Sequence, residues 1–181
     1  PLFYFLIYKD EVEYMKQLFI PKKKDLFLSL ILGCAVFFVI FCTFLLLSRF
    51  IDFSSILDSL TTGMDITADN FLIVATYIAF VNSLLEEFFF RGYAFILLKE
   101  KMNRKFAYIL SAGVFAFYHA GMTSGWFNVG LYILMMVGLF VGGCIFNYLN
   151  EKCENIYPSW LVHMFANFAI NTIGCILFGI I

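Results

Sequence analysis

A chain of 181 residues that is 62% hydrophobic and only 14% charged lies outside the composition of soluble globular domains, which run about 45–50% apolar and about 25% charged. Its 25 phenylalanines are more than the interior of a soluble domain this small could bury. The formal net charge of −1, without a basic patch, excludes a nucleic-acid-binding protein.

The chain opens on Pro1 with no recognisable signal peptide, and its first apolar run, residues 2–8, reads as the end of a truncated extra N-terminal span. Residues 9–25 follow, carrying Lys9, Lys16, Lys22, Lys23 and Lys24. Within them, 11–24 interleave charges with Val12, Met15, Leu18, Phe19 and Ile20, the pattern of a short helix lying at a membrane interface. Five apolar segments come next, at about 26–50, 71–98, 106–122, 128–149 and 158–181. A helix needs about 20 apolar residues to cross a bilayer, so the third segment is short for a crossing. Backbone polar groups in lipid are satisfied only in helices or closed barrels, and these runs are too long for barrel strands. The expected fold is all-α: a multi-span transmembrane helical bundle of at least five spans, forming one membrane-embedded domain over 1–181.

The loops set an orientation through the positive-inside rule. Residues 9–25 and the loop with Lys99, Lys101, Arg104 and Lys105 are expected in the cytoplasm, whereas the loop with Asp52, Asp58, Asp65 and Asp69 has no Lys or Arg and suits the outer side. The short loop at 123–127 then falls outside and 150–157 inside. Cys34, Cys42, Cys144, Cys153 and Cys175 form no CxxC pair and read as small hydrophobes. Gly138 and Gly142 form a GxxxG, and Ala112, Ala116 and Ala120 a small-residue stripe, both expected to let helices pack closely within the bundle.

Ionisable residues inside a membrane span are costly and are functional candidates by default. Three occur together in the run Glu86-Glu87-Phe88-Phe89-Phe90-Arg91. Arg91 lies one helical turn from Glu87 and can pair with it. Glu86 points about 100° away, on the face of Asn82, and keeps a carboxylate free for acid–base work or metal binding. The two histidines of the chain, His119 and His163, both lie in apolar segments, and Asn167 and Asn171 extend a polar stripe from His163 that must face the bundle interior. Two chemistries fit these residue types. Glu86, His119 and His163 have the ligand types of a catalytic two-histidine, one-carboxylate zinc site. Alternatively, a glutamate activates water while histidines and an amide steady a developing oxyanion. At 1.5 Å per residue, Glu86 and His119 lie ~18 and ~20 Å from the basic ends of their spans but His163 only ~8 Å, so the fifth span must start deeper, tilt or line a cavity.

The series Glu86 to Arg91 (EExxxR), Phe115 to His119 (FxxxH) and His163 to Asn167 (HxxxN), with Gly92 and Pro158-Ser159-Trp160 flanking it, resembles the CAAX-protease and bacteriocin-processing family, with its core motifs within 70–170. The resemblance implies an intramembrane endopeptidase in which Glu86 activates water and Glu87 is the structural partner of Arg91. His119 and His163 would then bind a metal such as zinc or stabilise the oxyanion, with Asn167 assisting at the oxyanion. A metal-free glutamate mechanism is equally compatible. The implied partners are the lipid bilayer and a peptide or protein substrate at the membrane: a bacteriocin, a peptide signal or a CAAX-like protein. A composition rich in Phe, Ile, Asn and Lys points to a bacterial source, hence a cytoplasmic membrane with a site reached from the cytoplasmic side. Two other functions use the same residues: a non-proteolytic immunity or scaffold protein gripping another membrane protein, and a proton or solute carrier. The carrier is disfavoured by the lack of an internal repeat.

Overall fold

A computed structural model describes Lys16 and residues 18–181. The apolar run at 2–8, and residues 11–15 of the interfacial segment, lie outside the described residues. From Lys23 on, the described residues form six helices in chain order: α1 Lys23–Leu47, α2 Ser54–Asp58, α3 Ala68–Lys101, α4 Arg104–Met122, α5 Val129–Cys153 and α6 Tyr157–Leu177. No strand occurs among the described residues. The fold is an all-α membrane bundle.

Short polar residues start the helices. At α3 the Thr67 amide donates to Asn70 Oδ1 at 2.8 Å. Asn103 Oδ1 accepts from the Lys105 amide at 2.9 Å to begin α4, and Asn128 Oδ1 accepts from the Leu131 amide at 3.1 Å to begin α5. Each bond satisfies a backbone N–H that has no partner within the helix. α5 ends where Glu154 turns left-handed at φ 49°, and Pro158 pre-sets the first turn of α6.

Among the described residues, four helices are long and apolar enough to cross a membrane: Asp25–Leu47, Ala68–Lys101, Val129–Cys153 and Tyr157–Leu177. The third expected segment is also helical, as the 19-residue α4, but it does not join those four. Lys105, Tyr108, Ser111, Tyr118 and His119 dilute its apolar character. The large apolar side chains of α1 point outward, with Phe38 and Leu46 61% and 71% exposed. That inversion of a soluble protein fits a lipid surround.

The bundle interior joins α3, α4, α5 and α6 through Phe90, Phe115, Phe146, Leu149 and Val162. Gly33 lets α1 approach α6, since a Cβ there would lie 2.8 Å from the Phe165 ring. The expected GxxxG contact is corrected. Nothing lies within 4 Å of a Cβ built on Gly138 or Gly142, whereas one on the neighbouring Gly143 would sit 3.0 Å from Ala112 Cα. One residue is about 100° of helix, so the glycine that lets α5 meet α4 is the one outside the motif. Ala112 and Ala116 are buried as expected, with Ala120 half-buried.

The feature that positions the site is the irregularity of α3. Its α-helical centre, Ser83–Glu87, lies between two π-helical stretches, Ile78–Asn82 and Phe88–Phe95. The i→i+5 pattern shifts the side-chain phase and strains the carbonyl ladder, and such stretches gather at functional sites. In a membrane, a carbonyl weakened in this way needs a protein partner. Asn167 Nδ2 donates to the Ile78 carbonyl at 3.4 Å, Asn171 Nδ2 to that of Ala75 at 3.0 Å, and Ser111 Oγ to that of Phe90 at 3.1 Å. Trp160 Nε1 adds a bond to Ser83 Oγ at 3.0 Å. The polar stripe of α6 faces the interior and zips that helix onto α3.

Candidate active site

Glu86, Glu87 and Arg91 are placed by α3, His119 by the end of α4, and His163 by the second turn of α6. The three helices bring them together. Glu87 and Arg91 are completely buried, and Nη1 of the arginine lies 3.2 Å from Oε1 of the glutamate. Aromatic rings surround the guanidinium, whose carbon stands 4.0 Å from the centroid of Phe115, 5.0 Å from that of Phe146 and 5.8 Å from that of Phe90. The negative ring faces compensate part of a charge removed from water.

Glu86 is turned elsewhere, as helical phase predicts. Its Oε1 accepts a 2.6 Å hydrogen bond from Asn82 Nδ2. Its Oε2 is buried, has no hydrogen-bond partner, and lies 3.7 Å from His119 Nε2 and 3.8 Å from His163 Nε2. The outer ring nitrogens are both anchored. His119 Nδ1 is 2.9 Å from the Phe115 carbonyl and His163 Nδ1 is 3.0 Å from Glu87 Oε1. A carbonyl and a carboxylate only accept, so each Nδ1 carries its proton and donates. A neutral imidazole with that tautomer has its lone pair on Nε2. Three lone-pair atoms therefore converge on one region, an arrangement that suits a guest able to donate or carry positive charge. A water beside Glu86 Oε2 can donate one proton to that oxygen and the other to one of the two Nε2 atoms.

The depth mismatch is closed at the turn before α6. Ile156 is fully buried against Leu18 and Ile96, and its amide donates to the Leu18 carbonyl at 3.1 Å. The start of α6 is thus level with Ile96 of α3. Counting from that contact, Glu87 is about 14 Å along α3 and His163 about 10 Å along α6, a gap that side chains span. Lys22 Nζ donates to the Cys153 carbonyl at 3.0 Å, and the Asn155 side chain to the Ile20 carbonyl. These bonds fasten the chain segment that covers the turn.

Asn167 occupies a different place from its partners in the expected set. Its amide lies against the π-helical turn preceding Glu86, at the Ile78 carbonyl. The metal question divides in the same way. In kind, two anchored imidazoles and an unpartnered carboxylate oxygen match the donors of a catalytic zinc site. In spacing, separations of 3.7 and 3.8 Å exceed the roughly 3.4 Å between ligand atoms of a tetrahedral ion with bonds of about 2.1 Å. Among the described residues no three of His, Cys, Asp and Glu are gathered closely enough to hold an ion.

A model of the family described as type II CAAX prenyl endopeptidase Rce1-like matches residues 68–169. The chain belongs to that family. No curated protein and no solved structure matches it. The matched stretch starts with α3 and ends just past Asn167, so it includes every residue of the convergence described above. The chain is an integral membrane protein of a CAAX-type protease family.

Sequence reasoning passed over Phe146 and the caging role of Phe115 and Phe90. Phe146 stacks on the His163 ring, with centroids 5.1 Å apart and planes 20° from parallel. No signal marks it among 25 phenylalanines. Phe115 already stood in the FxxxH motif, and its spacing of four from His119 puts both on one helical face.

Proposed function

We propose that this chain is an intramembrane endopeptidase that cleaves a peptide bond by water attack, with Glu86 as general base. The observation that carries the reading is the convergence of Glu86 Oε2, free of any hydrogen bond, with two anchored histidine Nε2 atoms at 3.7 and 3.8 Å. Glu86 takes a proton from the water held there, and the water oxygen bonds to the substrate carbonyl carbon. The carbon–nitrogen bond then breaks, and the leaving nitrogen takes the proton back from Glu86. The water's second proton is accepted by Nε2 of His119 or His163, which orients it. The amide of Asn167, one turn beyond His163 and bonded to the Ile78 carbonyl through one N–H, has a second N–H with which to donate to the oxyanion. Glu87 keeps His163 in the tautomer this needs, and Arg91 balances the charge of Glu87.

The wide spacing favours the metal-free route. Zinc, when bound, would be held by Glu86, His119 and His163 and would supply Lewis acidity at the carbonyl oxygen. The His119 side chain is the most open of the three, 16% exposed against 6% for Glu86 and 8% for His163. The substrate therefore arrives at the α4 side of the site. Its class is a membrane-proximal peptide or protein, a CAAX-like sequence being the one that the family description supports. By the positive-inside rule the ends of α3 and α4 that carry Lys99, Lys101, Arg104 and Lys105 lie in the cytoplasm.

The test is cleavage of a membrane-anchored CAAX-like peptide by purified protein in proteoliposomes. Glu86→Ala, His119→Ala and His163→Ala are each expected to abolish cleavage while the protein inserts and folds. Full activity in any of the three overturns the assignment. Complementation by Glu86→Gln in cells would instead support the non-proteolytic scaffold.

A further inference from the structure

We propose that Phe146, which lies in none of the motifs, is a positioning residue that holds the plane of the His163 ring so that Nε2 stays aimed at Glu86. The inference rests on the endopeptidase reading of the site and adds a residue to it. A histidine ring has two ways to lose its aim: it can flip about its own axis, or it can tilt out of its plane. The 3.0 Å bond from Nδ1 to Glu87 Oε1 opposes the flip, because a flipped ring presents carbon to the carboxylate. It does little against tilt, since a hydrogen bond tolerates about 30° of bending.

Tilt is opposed by packing. Phe146 is 6% exposed and lies nearly parallel to His163, 5.1 Å between centroids and 20° between planes. Phe115 meets the same imidazole edge-on, at 5.9 Å and 84°. The two phenylalanines are themselves in edge-on contact at 6.2 Å and 78°, so they form a corner into which the imidazole fits. The Arg91 guanidinium, 4.0 Å from one ring centroid and 5.0 Å from the other, holds both rings by cation–π attraction. The buried arginine thus acts on His163 twice, through Glu87 and through the aromatic corner. Gly143, three residues before Phe146 and 3.0 Å from Ala112 at its ideal Cβ, sets α5 close enough to α4 for that corner to close.

The experiment compares Phe146→Leu, which removes the flat face, with Phe146→Tyr, which keeps it. Three quantities are read in parallel: folded fraction, cleavage per folded molecule, and the nitrogen NMR spectrum of labelled histidine. The chain has only 2 histidines, so a His119→Gln variant assigns the His163 signals. Wild type is expected to show His163 as one tautomer protonated at Nδ1. In Phe146→Leu the tautomer stays, because Glu87 still holds Nδ1–H, but the His163 Nε2 signal broadens as the ring samples several tilts. Its kcat is expected to fall about 10–100-fold with KM within about twofold, the cost of misplacing a reacting group by about 1 Å. Phe146→Tyr keeps the narrow Nε2 signal and kcat to within about threefold.

A purely structural role would lower the folded fraction of Phe146→Leu while leaving the width of the His163 Nε2 signal and kcat per folded molecule at wild-type values. That result overturns the proposal. Failure of the endopeptidase reading looks different, because Glu86→Gln would then cleave as well as wild type. The Nε2 line width still decides the role of Phe146 in that case.

Discussion

Neutralising Glu87 should damage this protein more than neutralising both members of its ion pair. Glu87 and Arg91 are 0% exposed and 3.2 Å apart, in a site walled by Phe90, Phe115 and Phe146. Glu87→Gln leaves the arginine charge buried without its 3.2 Å partner, and Arg91→Met leaves the carboxylate buried beside the His163 imidazole. Breaking a buried pair from one side costs about 3–5 kcal/mol. The double variant has no buried charge at this position, and a paired charge replaced by neutral groups of similar volume is often neutral or stabilising. We therefore expect each single variant to lose about 3–5 kcal/mol and the double no more than about 2, a coupling of at least about 4 kcal/mol. The assay is a double-mutant cycle on unfolding in mixed micelles, with cleavage followed in the same preparations. Activity should return only partly in the double variant. The amide oxygen introduced by Glu87→Gln still accepts from His163 Nδ1, but the arginine that holds the aromatic corner is gone. Additive losses, or single variants within about 0.5 kcal/mol of wild type, would refute the charge-balance argument.

Other outcomes follow from the same geometry. Gly143→Leu should destabilise the bundle by about 1–3 kcal/mol or more through overpacking against Ala112, while Gly138→Ala, whose Cβ meets nothing within 4 Å, does not destabilise it; equal effects would refute the assignment of faces on α5. Ser111→Ala should cost about 1–3 kcal/mol, because the Phe90 carbonyl and Asn147 Oδ1 lose a donor at 3.1 and 3.2 Å; an unchanged unfolding midpoint would show that the π-helical carbonyl needs no partner. If Glu86 alone activates the water, as proposed, chelator-treated, metal-free protein should keep its cleavage activity; restoration of lost activity by zinc alone would reverse that.

Much of the site was legible because the membrane makes charge conspicuous. In a bilayer, Glu86, Glu87, Arg91, His119 and His163 are expensive, so five residues stand out from a chain that is 62% hydrophobic. Helical phase then separated the two glutamates, and the 2.6 Å bond from Asn82 to Glu86 and the 3.2 Å pair of Glu87 with Arg91 follow that separation. Phenylalanines carry no such signal, and Phe146 became visible only as a ring lying on His163. The glycine motif pointed one residue away from the true contact, because spacing repeats on every face of a helix and says nothing about which face has a neighbour.

The sequence by itself determined the solvent, the helical class and the residue types able to do chemistry, since each depends on composition or on periodicity within one segment. Tertiary structure alone decided how His163, expected to lie too shallow, reaches the level of Glu86. It did so by burying the α5–α6 turn under Leu18 against Ile96, a contact between residues distant in the chain. It also opened α3 into π-helical stretches on either side of Ser83–Glu87, where Asn167 and Ser111 from other helices satisfy the displaced carbonyls. Local propensity has no term for a partner that arrives from another helix, and both features exist only once those helices are packed.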